Sequence, residues 1–324
     1  MTNETKNSTL ECMDDSFEMF RNFNNPELII RKIPTGFSNL DKALGGGLCN
    51  GIHTICAQPG AGKTTFTLNI AVNMAKIGTP VIIISYEMPQ KDLMTKMYSL
   101  ISSELAPNGK GFSFDDIRTE KKLSATESKL YSKTCETIES SLCDKIYFLD
   151  GKKHNYKTYQ IIDEIEMFVQ NRKQAPLIIV DYLQTIALEN ESTSLKTNIE
   201  NAMSALHNVA DEYQLPIIAI SAIAKQGSET LNMFSGAEAA RIAYGSVTHW
   251  GLTDETTNPD AAYNTVKLEL FKNRYGKKHI APITFSFDGE HSRFWELTES
   301  QKTKSKKTQT ETKGTTKGTR TSKK

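Results

Sequence analysis

Long apolar runs are missing from this chain of 324 residues. No stretch approaches the roughly 18 consecutive apolar residues that a membrane-spanning helix needs. The first residues, MTNETKNSTLECMDD, are polar and partly acidic. They have neither the apolar core of a signal peptide nor the arginine-rich amphipathic pattern of a transit peptide. Cysteine is scarce: five residues, at 12, 49, 56, 135 and 143, with no C-x-x-C pair. An odd number without metal-ligand spacing argues against a disulfide scaffold or a zinc ribbon and for reduced thiols in a cytoplasmic chain. No internal repeat is found. Residues 301–324 contain no apolar residue and cannot build a core.

Charge is unevenly spread. The formal net charge is only +1. Eight Lys and one Arg against one Glu give residues 301–324 a charge of +8, which leaves −7 on the rest of the chain. The tail, expected to be disordered, is suited either to phosphate backbones or simply to solubility.

Between these ends, strand and helix patterns alternate. GIHTICA (51–57), PVIIISYE (80–87), KIYFLD (145–150), PLIIVDYLQ (176–184) and PIIAIS (216–221) are short apolar runs that read as buried strands. Helical spacing follows the first strand, at Phe66, Ile70, Met74 and Ile77, and the second, at Leu93, Met97, Leu100 and Ile101. A polar helix is expected over 123–142, another over 157–172, and a third at Leu195, Ile199, Ala202, Leu206, Val209 and Tyr213. APNGKGFSFDD (106–116) reads as a loop. Beyond 245, SVTHWGL, TVKLELF, PITFSF and SRFWEL read as strands with no helices between them. The pattern predicts an α/β fold: a mostly parallel sheet with helices on both faces, extended at one edge by antiparallel strands.

The chemistry starts at CAQPGAGKTTF. Residues Ala57 to Thr64 fit the phosphate-cradle pattern G-x-x-x-x-G-K-[ST] except that Ala57 stands at the first Gly. Pro59, Gly60, Ala61, Gly62, Lys63, Thr64 and Thr65 would wrap phosphates with backbone N–H groups. Lys63 would reach the terminal phosphates and Thr64 would offer its hydroxyl to Mg²⁺. The strand before the loop and the helix after it supply the expected context. Asp181, after four apolar residues of a strand, is the candidate second Mg²⁺ residue. Glu87, at the end of another strand, reads equally as the group that orients an attacking water or as an ordinary surface carboxylate. An arginine-rich lid, as a small-molecule kinase would need, is absent.

IPTGFSNLDKALGGGLCNGIHTICAQPGAGKTT followed in order by SYEMP, IIVDYLQ, IIAIS and KNRYGK resembles the C-terminal RecA-like ATPase domain of DnaB-type replicative DNA helicases. The first stretch also resembles RadA and KaiC-like ATPases; YEMP, VDYLQ and KNRYG are more particular to the DnaB group. The resemblance runs from Ile33 to Leu297. It implies a RecA-like P-loop NTPase core over 33–298 and an arm or linker helix over 1–32, including SFEMFRNF; the basic tail read from composition then covers 299–324. It implies ATP and Mg²⁺ as cofactors, a hydrolase activity coupled to DNA replication, and a homo-oligomer, by analogy a ring of six. Single-stranded DNA is implied as a partner, with a helicase loader, primase or initiator as further ones. Glu87 takes the role of catalytic glutamate and Asp181 that of magnesium-directing aspartate. Lys272 and Arg274 become a pair that reaches the γ-phosphate of the neighbouring subunit; without the resemblance they read as a solvated strand end.

Three departures accompany it. A helical N-terminal collar domain has no counterpart here, which suggests a short form of the kind mobile elements or plasmids encode. Ala222 stands where the well-studied bacterial enzymes have glutamine. Met233 and Phe234 replace a charged pair near DNA, although Ser235 and Gly236 remain. By analogy Lys196, Lys225 and Arg241 would face a central channel, and Phe234 would either stack on a base or pack within its loop. A RadA- or KaiC-like regulatory ATPase that does not unwind DNA stays open as the alternative.

Overall fold

The computed structural model describes residues 29–186, 194–222, 242–258, 261–277 and 280–297. SFEMFRNF, Lys225, Met233, Phe234, Ser235, Gly236, Arg241 and the basic tail lie outside the described residues. The described helices are α1 (Ser38–Ala43), α2 (Lys63–Lys76), α3 (Gln90–Leu105), α4 (Phe114–Arg118), α5 (Ala125–Ser141), α6 (Gly151–His154), α7 (Thr158–Arg172) and α8 (Leu195–Glu212). The strands are β1 (Gly51–Ala57), β2 (Val81–Ser85), β3 (Ile146–Asp150), β4 (Leu177–Asp181), β5 (Pro216–Ala222), β6 (Thr248–Asp254), β7 (Asn264–Asn273), β8 (Ile283–Asp288) and β9 (Arg293–Glu296).

All nine strands form one sheet in the order β3-β2-β4-β5-β1-β6-β7-β8-β9. From β3 to β6 every pairing is parallel; β7, β8 and β9 run antiparallel. The apolar runs Val81–Ile84 of β2 and Leu177–Val180 of β4 follow from this position, since strands covered on both faces bury every side chain; β1 is buried throughout as well, His53 and Thr54 included. Alternate residues serve two cores. Leu177 and Ile179 pack with Phe66, Ile70 and Met74 of α2 and with Leu93 and Met97 of α3. Ile178 and Val180 pack with Ile161 and Ile165 of α7 and Leu206 and Val209 of α8. One-residue alternation therefore decides which helix layer each strand residue meets.

The outcome differs from the sequence pattern in several places. SVTHWGL becomes β6, which pairs parallel to β1 through His53↔Thr248 to Ala57↔Leu252. The antiparallel extension therefore begins one strand later than the run of helix-free strands suggests. Phe114–Asp116, expected as the end of a loop, instead open a short helix, Phe114–Arg118, because Ser113 and Asp116 form a reciprocal capping box. Ile77, on the expected apolar face, is 60% exposed because α2 stops at Lys76 and the chain turns away. β2 ends at Ser85, so Glu87 lies in the bend beyond it rather than on the strand.

The antiparallel strands also wrap onto α2. Phe294 N–H donates to Asn69 Oδ1 at 3.0 Å, and Asn69 Nδ2 donates to Ser292 O at 2.9 Å, so one α2 side chain satisfies the edge backbone of β9. Phe37, Phe66, Phe285 and Phe294 meet in edge-on and stacked pairs with centroids 5.1–5.3 Å apart. Phe287 stacks on Phe294 at 4.2 Å. These rings lie under the glycine-rich loop: a Cβ on Gly62 would meet Phe294 at 3.0 Å and Phe287 at 3.2 Å.

Candidate active site

The loop from Gln58 to Gly62 joins the buried end of β1 to the first turn of α2. Gly60 and Gly62 adopt φ of +85° and +86°, a backbone that side-chain-bearing residues avoid. Gln58, Pro59 and Gly60 are exposed, Ala61 is buried, and Gly62 is the N-cap of α2. A Cβ on Gly60 would meet nothing within 4 Å, so its φ, and not its surroundings, selects glycine there.

Four of the expected site residues come together at this end of the sheet. Thr64 Oγ1 donates to Asp181 Oδ2 at 2.7 Å, joining α2 to the end of β4. Lys63 Nζ turns back onto the loop, donating to Ala57 O at 3.0 Å and Gln58 O at 3.3 Å. Glu87 is exposed, and its charge acts on both Lys63 and Asp181. The register explains the convergence. Ser85 is level with Asp181, Ala57 is level with Ala222, and β5 fills the space between β1 and β4. Loop, carboxylate and Glu87 thus line the carboxyl ends of parallel strands, where ligands of open α/β sheets bind.

Burial raises the Asp181 carboxyl to about 6; Glu87 pushes it the same way, while the Thr64 hydroxyl and Lys63 oppose them. Burial also lowers the Lys63 ammonium, against the pull of Glu87 and Asp181. Asp181 Oδ1 is buried without a hydrogen-bond partner. A buried carboxylate oxygen with no partner is costly unless a cation completes it. A hydroxyl beside a carboxylate is the hard-oxygen donor set Mg²⁺ accepts alongside water. The residues present therefore fit a phosphate-bound magnesium ion.

Lys272 and Arg274 are elsewhere. β6 is parallel to β1 and β7 antiparallel to β6, so Asn273 is level with Thr248 and hence with His53. Arg274 N–H donates to Val247 O, and Val247 N–H to Ile52 O. Four to five residues of β1 separate that level from Ala57, about 13–16 Å of strand. The pair sits at the opposite end of the sheet from the cradle in its own chain. Arg274 is exposed. Lys272 Nζ donates to Ala243 O at 2.9 Å and Tyr244 O at 2.8 Å; burial and the nearby Arg274 lower its ammonium.

Between the two ends, buried side chains join β1 to β6. His53 Nδ1 hydrogen-bonds Thr248 Oγ1 at 2.8 Å, and its Nε2 hydrogen-bonds Cys49 O at 2.9 Å. Thr54 Oγ1 hydrogen-bonds His249 Nδ1 at 2.7 Å, and Cys56 Sγ lies 3.5 Å from His249 Nε2. Burial holds both imidazoles near pKa 4.

Residues 32–232, more than half of the chain, match the DnaB-like helicase C terminal domain family. The chain belongs to that family. The replicative DNA helicase DnaB of Buchnera aphidicola is 28% identical over 200 residues, 61% of this chain and 40% of that protein. The chain thus spans less than half of that relative's length. Two solved structures share the fold. One is an ATPase domain, with TM-score 0.74, 19% identity, and coverage of 89% of this chain and all of the other. The second is a DnaB-like replicative helicase studied with primase, with TM-score 0.73, 18% identity, and coverage of 90% of this chain and 68% of the other. The RecA-like core that the resemblance implies is the fold observed.

Gln184 and Lys96 also stand beside the site, although neither is among the site residues expected from the sequence. Gln184, the last residue of VDYLQ, donates Nε2 to Ser221 Oγ at 2.9 Å and ties the turn after β4 to the end of β5. That contact lies next to Ala222, whose backbone completes β5. Lys96 Nζ is 3.4 Å from Thr65 Oγ1. A lysine among Leu93, Met97 and Leu100 on α3 is the hint that could have found it. Lys196 is exposed on the first turn of α8. No described helix is long and apolar enough to cross a membrane.

Proposed function

We propose that this chain is an ATP-dependent DNA helicase or translocase acting in DNA replication, in which each reaction centre is built from two subunits. The observation that carries the reading is the separation of Lys272 and Arg274 from the cradle along β1. A cation pair that cannot reach its own nucleotide, displayed on the opposite end of the sheet, suits the nucleotide of a neighbour.

ATP is held by the backbone N–H groups of residues 59–65, the α2 N-terminus and the Lys63 ammonium. For this, Lys63 exchanges its bonds to Ala57 O and Gln58 O for phosphate oxygens. Thr64 and Asp181 would hold a magnesium ion, which would supply charge neutralisation for the phosphates. Glu87, exposed beside both, orients the attacking water and takes up its proton. Arg274 of an adjacent subunit stabilises charge on the transferred phosphoryl group. A cation supplied in trans contributes about 10³-fold or more in related chemistry. Ring assembly, by analogy of six subunits, ties hydrolysis to movement along single-stranded DNA. Primase and a loader are the protein partners this reading implies.

ATPase rate per chain, measured against protein concentration with and without single-stranded DNA, tests the proposal. The expected result is a steep rise with concentration and a further rise with DNA. A rate per chain that is independent of both contradicts it. Unwinding of a forked duplex then separates a helicase from an ATPase that only moves along or sits on DNA.

A further inference from the structure

The turn after β3 has no part in the site described above, yet it stands at the same end of the parallel sheet. Ser85 pairs with Asp181 on one side and Asp150 on the other, which puts residues 151–159 beside the bend that carries Glu87. The sequence there is GKKHNYKTY. Lys152, Lys153 and His154 are exposed, and Tyr159, on the first turn of α7, is 55% exposed. No ion pair among the described residues neutralises Lys152 or Lys153. The carboxylate within the turn, Asp150, accepts Lys153 N–H at 2.9 Å and so fixes the backbone from below. Asn155 takes the left-handed conformation, φ +49°, that reverses the chain.

This turn is fastened to the catalytic bend through Tyr86, the residue before Glu87. Tyr86 Oη donates to Tyr156 O at 2.5 Å. The Tyr86 ring packs so closely on the turn that a Cβ on Gly151 would lie 2.7 Å from it. Tyr86 N–H in turn donates to Asp181 O at 2.7 Å. One buried aromatic residue thus touches the basic turn, the magnesium-side strand and the Glu87 bend.

We propose that residues 152–159 form a contact surface for single-stranded nucleic acid, and that Tyr86 conveys its occupancy to Glu87. Lys152 and Lys153 neutralise backbone phosphates, and His154 shares in the contact. Tyr159 offers a ring face to an unpaired base, which a duplex does not present; this favours single strands. Displacing the turn moves Tyr156 O and Gly151, and Tyr86 must follow, carrying the Glu87 backbone with it. The inference rests on the helicase reading but concerns a segment that reading does not use.

The test uses the full chain and a fluorescent oligothymidylate, with binding measured against salt. The parent is compared with Lys152→Ala/Lys153→Ala and with Tyr86→Phe. The lysine variant should bind more weakly, with a log–log salt slope shallower by about 1.4, the effect of two fewer phosphate contacts on a single strand. Tyr86→Phe should keep the parent's affinity and slope but lose most of the DNA stimulation of ATP hydrolysis, read as the ratio of rates with and without oligonucleotide. Parent-like affinity and slope in the lysine variant overturn the surface while leaving the helicase reading intact. An unchanged stimulation ratio in Tyr86→Phe overturns the coupling. A parent that binds no oligonucleotide overturns both the surface and the reading beneath it.

Discussion

The two ends of the β1–β6 pair differ in what they leave unfinished. At the carboxyl end of β1 the polar groups engage one another: Thr64 on Asp181, Lys63 on the loop carbonyls, and Glu87 within electrostatic reach of Lys63 and Asp181. At that end Asp181 Oδ1 is buried without a hydrogen-bond partner. At the other end Lys272 is engaged by Ala243 O and Tyr244 O while the Arg274 side chain is exposed. One end gathers two carboxylates around a single lysine and the other displays positive charge outward. A rigid parallel pair holds them apart, so a single chain cannot bring them together. On the proposed reading, this register is why a reaction centre is completed between copies.

The comparison is broken most strongly at Arg274. Arg274→Ala should lower DNA-stimulated turnover about 10³-fold while nucleotide affinity, measured by fluorescent-analogue titration, stays near the parent value. Equal loss of affinity would place Arg274 in nucleotide binding within its own chain. Glu87→Gln comes next. Loss of the base should cost roughly 10²-fold or more in phosphate release. Binding should persist, because the cradle, Thr64 and Asp181 are untouched. Parent-like turnover would leave Glu87 an ordinary surface carboxylate.

Acid should weaken the join between the ends. His53 and His249 are held near pKa 4, below the ordinary 6.5, because burial disfavours their charged forms. The unfolded chain therefore binds more protons than the folded one between these values. Their contribution is fully present above about pH 6.5 and is lost as pH falls toward 4, on the order of 3 kcal/mol for each. Urea midpoints across that range should fall for the parent and fall less steeply for His249→Gln. Identical slopes would show that His249 does not titrate with folding.

The smallest expected effect sharpens the role of the antiparallel half. Asn69→Ala strips both partners from the β9 edge and leaves Phe294 N–H and Ser292 O unpaired in a buried setting. A loss of about 1–3 kcal/mol is expected in urea unfolding. Weaker nucleotide binding should accompany it, since Phe294 and Phe287 pack under Gly62. A stability loss with unchanged nucleotide affinity would make β8 and β9 mere cover for α2.

What the sequence shows and what it conceals follow the reach of each interaction. The cradle is legible because Gly60, Gly62, Lys63 and Thr64 act within a few consecutive residues, bounded by a strand and a helix. The parallel core is legible because strands covered on both faces are mostly apolar. The direction of β6 is not: SVTHWGL has the same local pattern in either orientation, and only pairing with β1 decides it. The position of Glu87 past the end of β2 depends on where pairing stops, which composition does not mark. The partners of Lys272 lie 28 and 29 residues away, and those of Tyr86 70 and 95 residues away. Such contacts are set by tertiary packing and leave no periodicity to read.

Mixing two defective chains tests the central claim most directly. Lys63→Ala removes the cradle cation and leaves Arg274 intact; Arg274→Ala does the reverse. Each alone should be nearly inactive in ATP hydrolysis. If reaction centres form between copies, mixed assemblies contain interfaces that pair an intact cradle with an intact Arg274, and the mixture recovers measurable turnover. A mixture no more active than the two variants measured separately would contradict the account.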